Sequence, residues 1–196
     1  KHARTTRDKY RVYLIKVDSL GSSLKFQEAL TFGYQVLQEL GERFPSKPNQ
    51  FNLILNLLKV SGKLRSTSDD ELLAIPKMSD EEKLFALEIM STLMTHAFPL
   101  EKDLDIGLLG LRMLQITMRY GLSKHSSRAF AAWAFIQGSM FNFDEATRFG
   151  RLAQKFASRF DSPGCEGRTL LTNACFVWHL QRPMDEHLDS LLKAHQ

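Results

Sequence analysis

The chain has 196 residues, 43% of them hydrophobic and 24% charged, an ordinary composition for a folded domain with one substantial core and not that of a disordered tail. Its net charge of +4 comes from Lys and Arg interspersed with Asp and Glu, a mixture that disfavours nucleic acid as a partner. Cys165 and Cys175, with no C-x-x-C pair, encode neither a disulfide scaffold nor a thiolate metal site and suit a reducing, cytoplasmic setting; no apolar run approaches the roughly 18 to 20 residues needed to span a bilayer. A chain that opens on Lys1 without an initiator Met is expected to be a piece of a longer protein, and its basic start, Lys1 to Arg11, reads as a solvated helix start or linker.

Apolar positions recur at spacings of three and four, and no segment alternates with period two, so the fold class is all-α. Tyr10 to Leu20 and Leu24 to Leu40 make a helix pair joined by Gly21-Ser22-Ser23, the second stopped by Gly41. Asn49 to Leu64 is apolar on nearly all sides, which predicts burial between neighbours. An irregular connection is expected near 65–78. Ser79 then reads as an N-cap, with Glu82 completing a capping box, for a helix that runs to Ala97 and is stopped by Pro99.

Asp103 to Tyr120, ended by Gly121, Ser123 to Met140, and Phe143 to Phe160, ended by Asp161-Ser162-Pro163-Gly164, follow as helices. Arg168 to Leu180 and Pro183 to Ala194 complete a set of about nine, mostly joined by connections of two to six residues. Such connections favour antiparallel hairpins stacked in order, a single helical-repeat domain over 1–196.

One spelling occurs twice. K-F-Q-E-A-L-T-F-G, Lys25 to Gly33, has a near-copy in N-F-D-E-A-T-R-F-G, Asn142 to Gly150, 117 positions on (Phe26 to Phe143). Each copy opens the second helix of a pair. Ala29 and Ala146 fall where that helix must approach another closely, with Phe26, Phe32, Phe143 and Phe149 three residues to either side on the same face. Gly33 and Gly150, each costing ~1 kcal/mol inside a helix, are expected at close backbone contacts. The spelling is a packing rule rather than a catalytic or ligand site.

An Ala flanked by aromatics in a helix hairpin resembles the second helix of the tetratricopeptide repeat, with Phe130, Trp133 and Ala134 near its Trp, Leu and Gly positions. The match is partial, since 117 is not a multiple of 34. A longer resemblance runs through Phe26 to Asn49, Asp69 to Asp80, Leu111 to Gly121 and Phe143 to Ala153. In that order these blocks look like the tetratricopeptide-like helical region of large multidomain sensor kinases, where protein-kinase-like and signalling ATPase modules precede the helical repeats and sensor and histidine-kinase-type output domains follow. The resemblance implies a tetratricopeptide-like α-solenoid that is a non-catalytic scaffold or regulatory segment, and partners that are proteins or peptides, including other domains of the same chain. The alternative is a free-standing tetratricopeptide-like adaptor for a peptide or partner helix.

No phosphate-binding loop, kinase catalytic loop or phosphoacceptor box occurs, so no catalytic, cofactor-binding or metal residue is assigned. The six histidines, His2, His96, His125, His179, His187 and His195, lack metal-ligand spacing and read as solvated or partly buried. Asp69-Asp70-Glu71 and Asp80-Glu81-Glu82 read as helix-start acids rather than paired catalytic carboxylates. Gly164 to Gly167, G-C-E-G, reads as a helix connection, Cys165 as a poor nucleophile, and Met90, Met94, Met113 and Met118 as core fillers. A helical enzyme with a pocket between hairpins is the third reading, and no acid/base constellation supports it.

Overall fold

The computed structural model describes residues 6–160, 162–177 and Leu192, and among the described residues it is all-helical with no strand. In chain order the elements are α1 (Thr6–Ser22), α2 (Phe26–Glu39), α3 (Gln50–Arg65), α4 (Asp69–Ala74), α5 (Glu81–Ala97), a 3-10 turn (Phe98–Leu100), α6 (Asp103–Tyr120), α7 (Ser126–Ser139), α8 (Phe143–Arg159) and α9 (Pro163–Phe176). The helix expected over Pro183 to Ala194 lies outside the described residues. Packing divides the chain into two compact units, Lys1–Asn56 with Ser79–Leu109 and Leu57–Met78 with Gly110–Gln196, so α3 and α6 each contribute to both.

In the first unit α2 packs against α1 and α5. Ala29, Leu30, Val36 and Leu37 turn inward with Val17, Leu87, Ile89, Met90 and Leu93, all at most 2% exposed. In the second unit α7 packs against α8 and α9 around Phe130, Phe149 and Phe156, each fully buried. The rings of Phe130 and Phe156 stack at 4.7 Å.

The two hairpins, α1–α2 and α7–α8, are built alike well beyond the repeated spelling. Lys25 N–H donates to Leu20 O and Asn142 N–H to Gln137 O, both at 2.9 Å, while Leu24 N–H and Phe141 N–H reach Gly21 O and Gly138 O. Leu24 and Phe141 both take the left-handed conformation, φ 59° and 62°, unusual for bulky residues and costing about 1–3 kcal/mol each. The same cost recurs at the same place in both hairpins. Tyr13 meets Phe32 edge-on at 5.7 Å where Phe130 lies nearly parallel to Phe149 at 6.0 Å, so the place of the contact is shared but not its geometry, and Val17 and Ala134 at matching positions are both fully buried.

Gly33 makes room for the helix that covers its hairpin, and the backbone of Gly150 bonds to the helix that covers the other. A Cβ on Gly33 would come within 2.4 Å of a Leu93 methyl on α5. The Asn173 amide on α9 donates to Gly150 O at 2.8 Å. Gly21, ahead of the first copy, has the same purpose: a Cβ there would meet the His96 ring of α5 at 2.1 Å. Ala29 and Ala146 are both 0% exposed. Ala29→Leu and Ala146→Leu are each expected to destabilise their unit by about 1–3 kcal/mol by overpacking, measured as a lowered urea midpoint with unchanged m-value.

Four local expectations are corrected. The connection over 65–78 contains α4, opened by a full capping box in which Ser68 Oγ accepts from Glu71 N–H and the Glu71 carboxylate accepts from Ser68 N–H. The cap of α5 is Asp80, which accepts from Lys83 N–H, and not Ser79. Both sites spell Ser-Asp-acid-Glu, and the choice between them lies in where the chain leaves the extended conformation. Gly164 to Gly167 is no connection: Pro163 occupies the first position of α9, which therefore starts five residues before Arg168. Finally α3 buries only Val60 and Leu64, while Phe51, Ile54, Leu55 and Leu58 are 40–66% exposed. A helix apolar all round exceeds what neighbours on one side can cover.

Within the second unit a short backbone pairing ties the segment after α4 to the end of α6. Met78 N–H donates to Leu122 O and Leu122 N–H to Pro76 O, both 2.8 Å, an isolated parallel bridge of Lys77 with Leu122. Gly121 makes it possible with φ +119°, since a Cβ there would sit 2.6 Å from Pro76 O.

Candidate functional site

The eight repeat positions do not converge on a site. Ala29, Gly33, Ala146, Phe149 and Gly150 are buried in their own units, Phe26 and Phe32 are half-buried, and Phe143 is 36% exposed with its ring edge-on to Phe141. Their chemistry is that of contact surfaces between helices.

A groove of the first unit runs along α2. Gln27, Thr31, Tyr34, Gln35 and Gln38 recur at helical spacing and line one wall of this groove of about 420 Å³. The opposite wall forms because Gly41, at φ +77°, turns the chain back along α2. The Glu42 N–H donates to Leu37 O, after which Arg43, Phe44, Pro45, Ser46 and Pro48 line the groove from an irregular run, bent at Ser46 and Lys47, that two prolines keep out of helix. Lys102, just ahead of α6, and Asp105 of α6 close the end.

Inside the groove the Tyr34 hydroxyl donates to Asp105 Oδ1 at 2.6 Å, and its ring meets Phe44 at 5.3 Å. Burial, and then the bond to Asp105, push the Tyr34 phenol well above its usual value, so it stays protonated as a fixed donor. The floor is therefore aromatic and rigid, and the upper wall is a row of side-chain amides able both to donate and to accept. An extended peptide needs such a surface: amides for its backbone and an aromatic seat for one side chain.

Beneath the groove Gly41 also sends the Glu42 side chain inward. Its carboxylate is 0% exposed and pairs with Lys83 Nζ of α5 at 2.8 Å. This pair fixes the turn that carries Arg43 to Pro48.

The second unit brings together two residues far apart in sequence. His125, 5% exposed, places Nδ1 4.0 Å from Cys165 Sγ, and its Nε2 is buried without a hydrogen-bond partner. Burial first, and then Lys124, Arg128 and Arg168, push the imidazole down to about 3, so it is neutral across the physiological range. His125 is thus more deeply buried than its sequence setting suggests. Ser123, Ser126 and Ser127 beside it are equally buried; Ser126 Oγ accepts from Ser123 N–H and Ser123 Oγ from His125 N–H, forming the turn into α7. Among the described residues no three His, Cys, Asp or Glu side chains are grouped to hold a metal ion, and no helix is long and apolar enough to cross a membrane. Met90, Met94 and Met113 lie in the core. His2, His179, His187 and His195 lie outside the described residues.

The groove was not legible in advance because its second wall is irregular chain. The one available signal was Gly41 followed by two prolines. No protein-family model matches the chain, and no significant match to a curated protein or to a solved structure is found.

Proposed function

We propose that this chain is a non-catalytic helical-repeat segment that scaffolds or regulates a multidomain signalling kinase, holding a peptide or another domain of the same polypeptide in the groove beside α2. Under this proposal the two hairpins are degenerate units of a tetratricopeptide-like α-solenoid working in the cytoplasm. The observation that carries the reading is the groove itself: a rigid aromatic floor under a row of amides, on the face of the first hairpin that its own core leaves free. The family assignment rests on the ordered sequence blocks alone. The shared turn, aromatic contact and covering-helix glycine of the two hairpins support the repeat architecture independently.

Peptide display on the full chain, followed by affinity measurements with the selected peptide, tests the proposal. Thr31→Trp fills the groove from an exposed position on α2. A selected peptide should lose about tenfold or more in affinity for this variant while its melting temperature is unchanged. Failure to enrich any peptide, or equal affinity for the two proteins, would overturn the proposal.

A further inference from the structure

The even mixing of charges read from the sequence hides a segregation that folding brings out. No Asp or Glu occurs in residues 43–68 or in 106–143. Within the second unit the parts of these stretches that belong to α3 and α6 come together around a groove of about 290 Å³. Its lining includes Lys59, Lys63, Arg112, Arg119 and Tyr120, and no carboxylate. Neutral groups are among the partners of three of the cations. Lys63 Nζ donates to Met118 O at 3.1 Å, Arg112 to Gln115 Oε1 at 2.9 Å, and the Arg119 guanidinium lies 5.3 Å from the Tyr120 ring centre. Half-buried Met118, over buried Val60, Leu114 and Ile116, gives the groove an apolar floor.

We infer that this groove is a docking site for a short acidic protein segment, one in which carboxylates alternate with apolar side chains. Like charges gathered round one depression repel each other and raise the local potential, and a bound carboxylate-rich segment relieves both effects. The apolar floor calls for apolar side chains between the acids, which a bare polyanion lacks. The dimensions also favour a peptide: the groove takes a few side chains, and among its lining residues Tyr120 alone is aromatic, whereas a run of bases stacks on several such rings. This site lies within the second unit and is separate from the groove beside α2, so the failure of either reading leaves the other standing.

Fluorescence anisotropy with the full chain tests the inference. The probe is a fluorescein-labelled peptide of alternating Glu and Leu, with its Gln-for-Glu counterpart and labelled oligothymidine as comparators. The Glu peptide should bind, should weaken steeply as salt rises, and should lose about tenfold or more in affinity for the Lys59→Glu/Arg119→Glu double variant. Arg151→Glu, an exposed charge reversal outside the groove, should leave affinity within about twofold of the parent. Lys59→Gln gives a milder variant should the double reversal fail to fold, with a smaller loss expected in the same direction. The inference is overturned if the Gln peptide binds equally well, if Arg151→Glu costs as much as the groove variants, or if oligothymidine binds more tightly than the Glu peptide.

Discussion

Lys83→Met should destabilise the protein by up to about 3–5 kcal/mol, because it removes the ammonium that lies 2.8 Å from a Glu42 carboxylate whose side chain is 0% exposed. The Met side chain fills most of the lysine's volume, so the loss reports charge rather than a cavity. Glu42→Met combined with Lys83→Met should recover most of it, since two apolar groups in a buried pair's place are often neutral or stabilising. Urea unfolding of the parent, both single variants and the double gives the coupling directly. Equal midpoints for parent and Lys83→Met would show that the Lys83 charge contributes nothing to stability. The loss matters for function because Glu42 anchors the turn behind one wall of the α2 groove. Peptide affinity should therefore fall in Lys83→Met even under conditions where the protein stays folded.

Acid should weaken the second unit through His125. Its folded value of about 3 lies below the ordinary 6.5, so between these limits the unfolded chain binds a proton that the folded chain does not. The stabilising contribution is fully present above pH ~6.5 and is lost as pH falls from there toward 3, at up to about 1.4 kcal/mol per pH unit. Between pH 6.5 and pH 4 this amounts to about 3 kcal/mol. Cys165, Lys124, Arg128 and Arg168 surround the ring and supply no carboxylate that could hold it protonated. His125→Leu should flatten the pH profile of stability over this window, whatever it does to stability at neutral pH. A variant whose profile runs parallel to the parent's would show that His125 takes up its proton at the same pH in the folded and the unfolded chain.

The helices were legible because burial of one face writes a period of 3.6 into the sequence. What escaped was written in other terms. The spelling Gly-Ser-x-[Leu or Phe] ahead of each Phe-x-Glu-Ala copy was present, at Gly21 and Gly138, but its meaning lies in a left-handed turn residue and a covering helix, neither of which has a period. Ser68 and Ser79 open near-identical acidic runs, and only the path of the chain decides that one makes a full capping box while the other yields its place to Asp80. Pro163-Gly164 reads as a stop, yet proline suits the first position of a helix as well as the end of the one before. Apolar residues announce that they can be buried, not that a neighbour exists to bury them, which is why the exposed face of α3 was misread. The groove beside α2 needed Arg43 to Pro48 folded back over the helix, a tertiary fact with only Gly41 and the prolines to hint at it.

Hydrogen exchange on the full chain, with and without a display-selected peptide, tests most directly whether the groove beside α2 is the working surface. Bound peptide should slow exchange through α2 and at Phe44, Ser46 and Lys47, leave α7 and α8 unchanged, and lose its effect in Thr31→Trp. Protection confined to α7 and α8, or protection of α2 that persists in Thr31→Trp, would contradict the account.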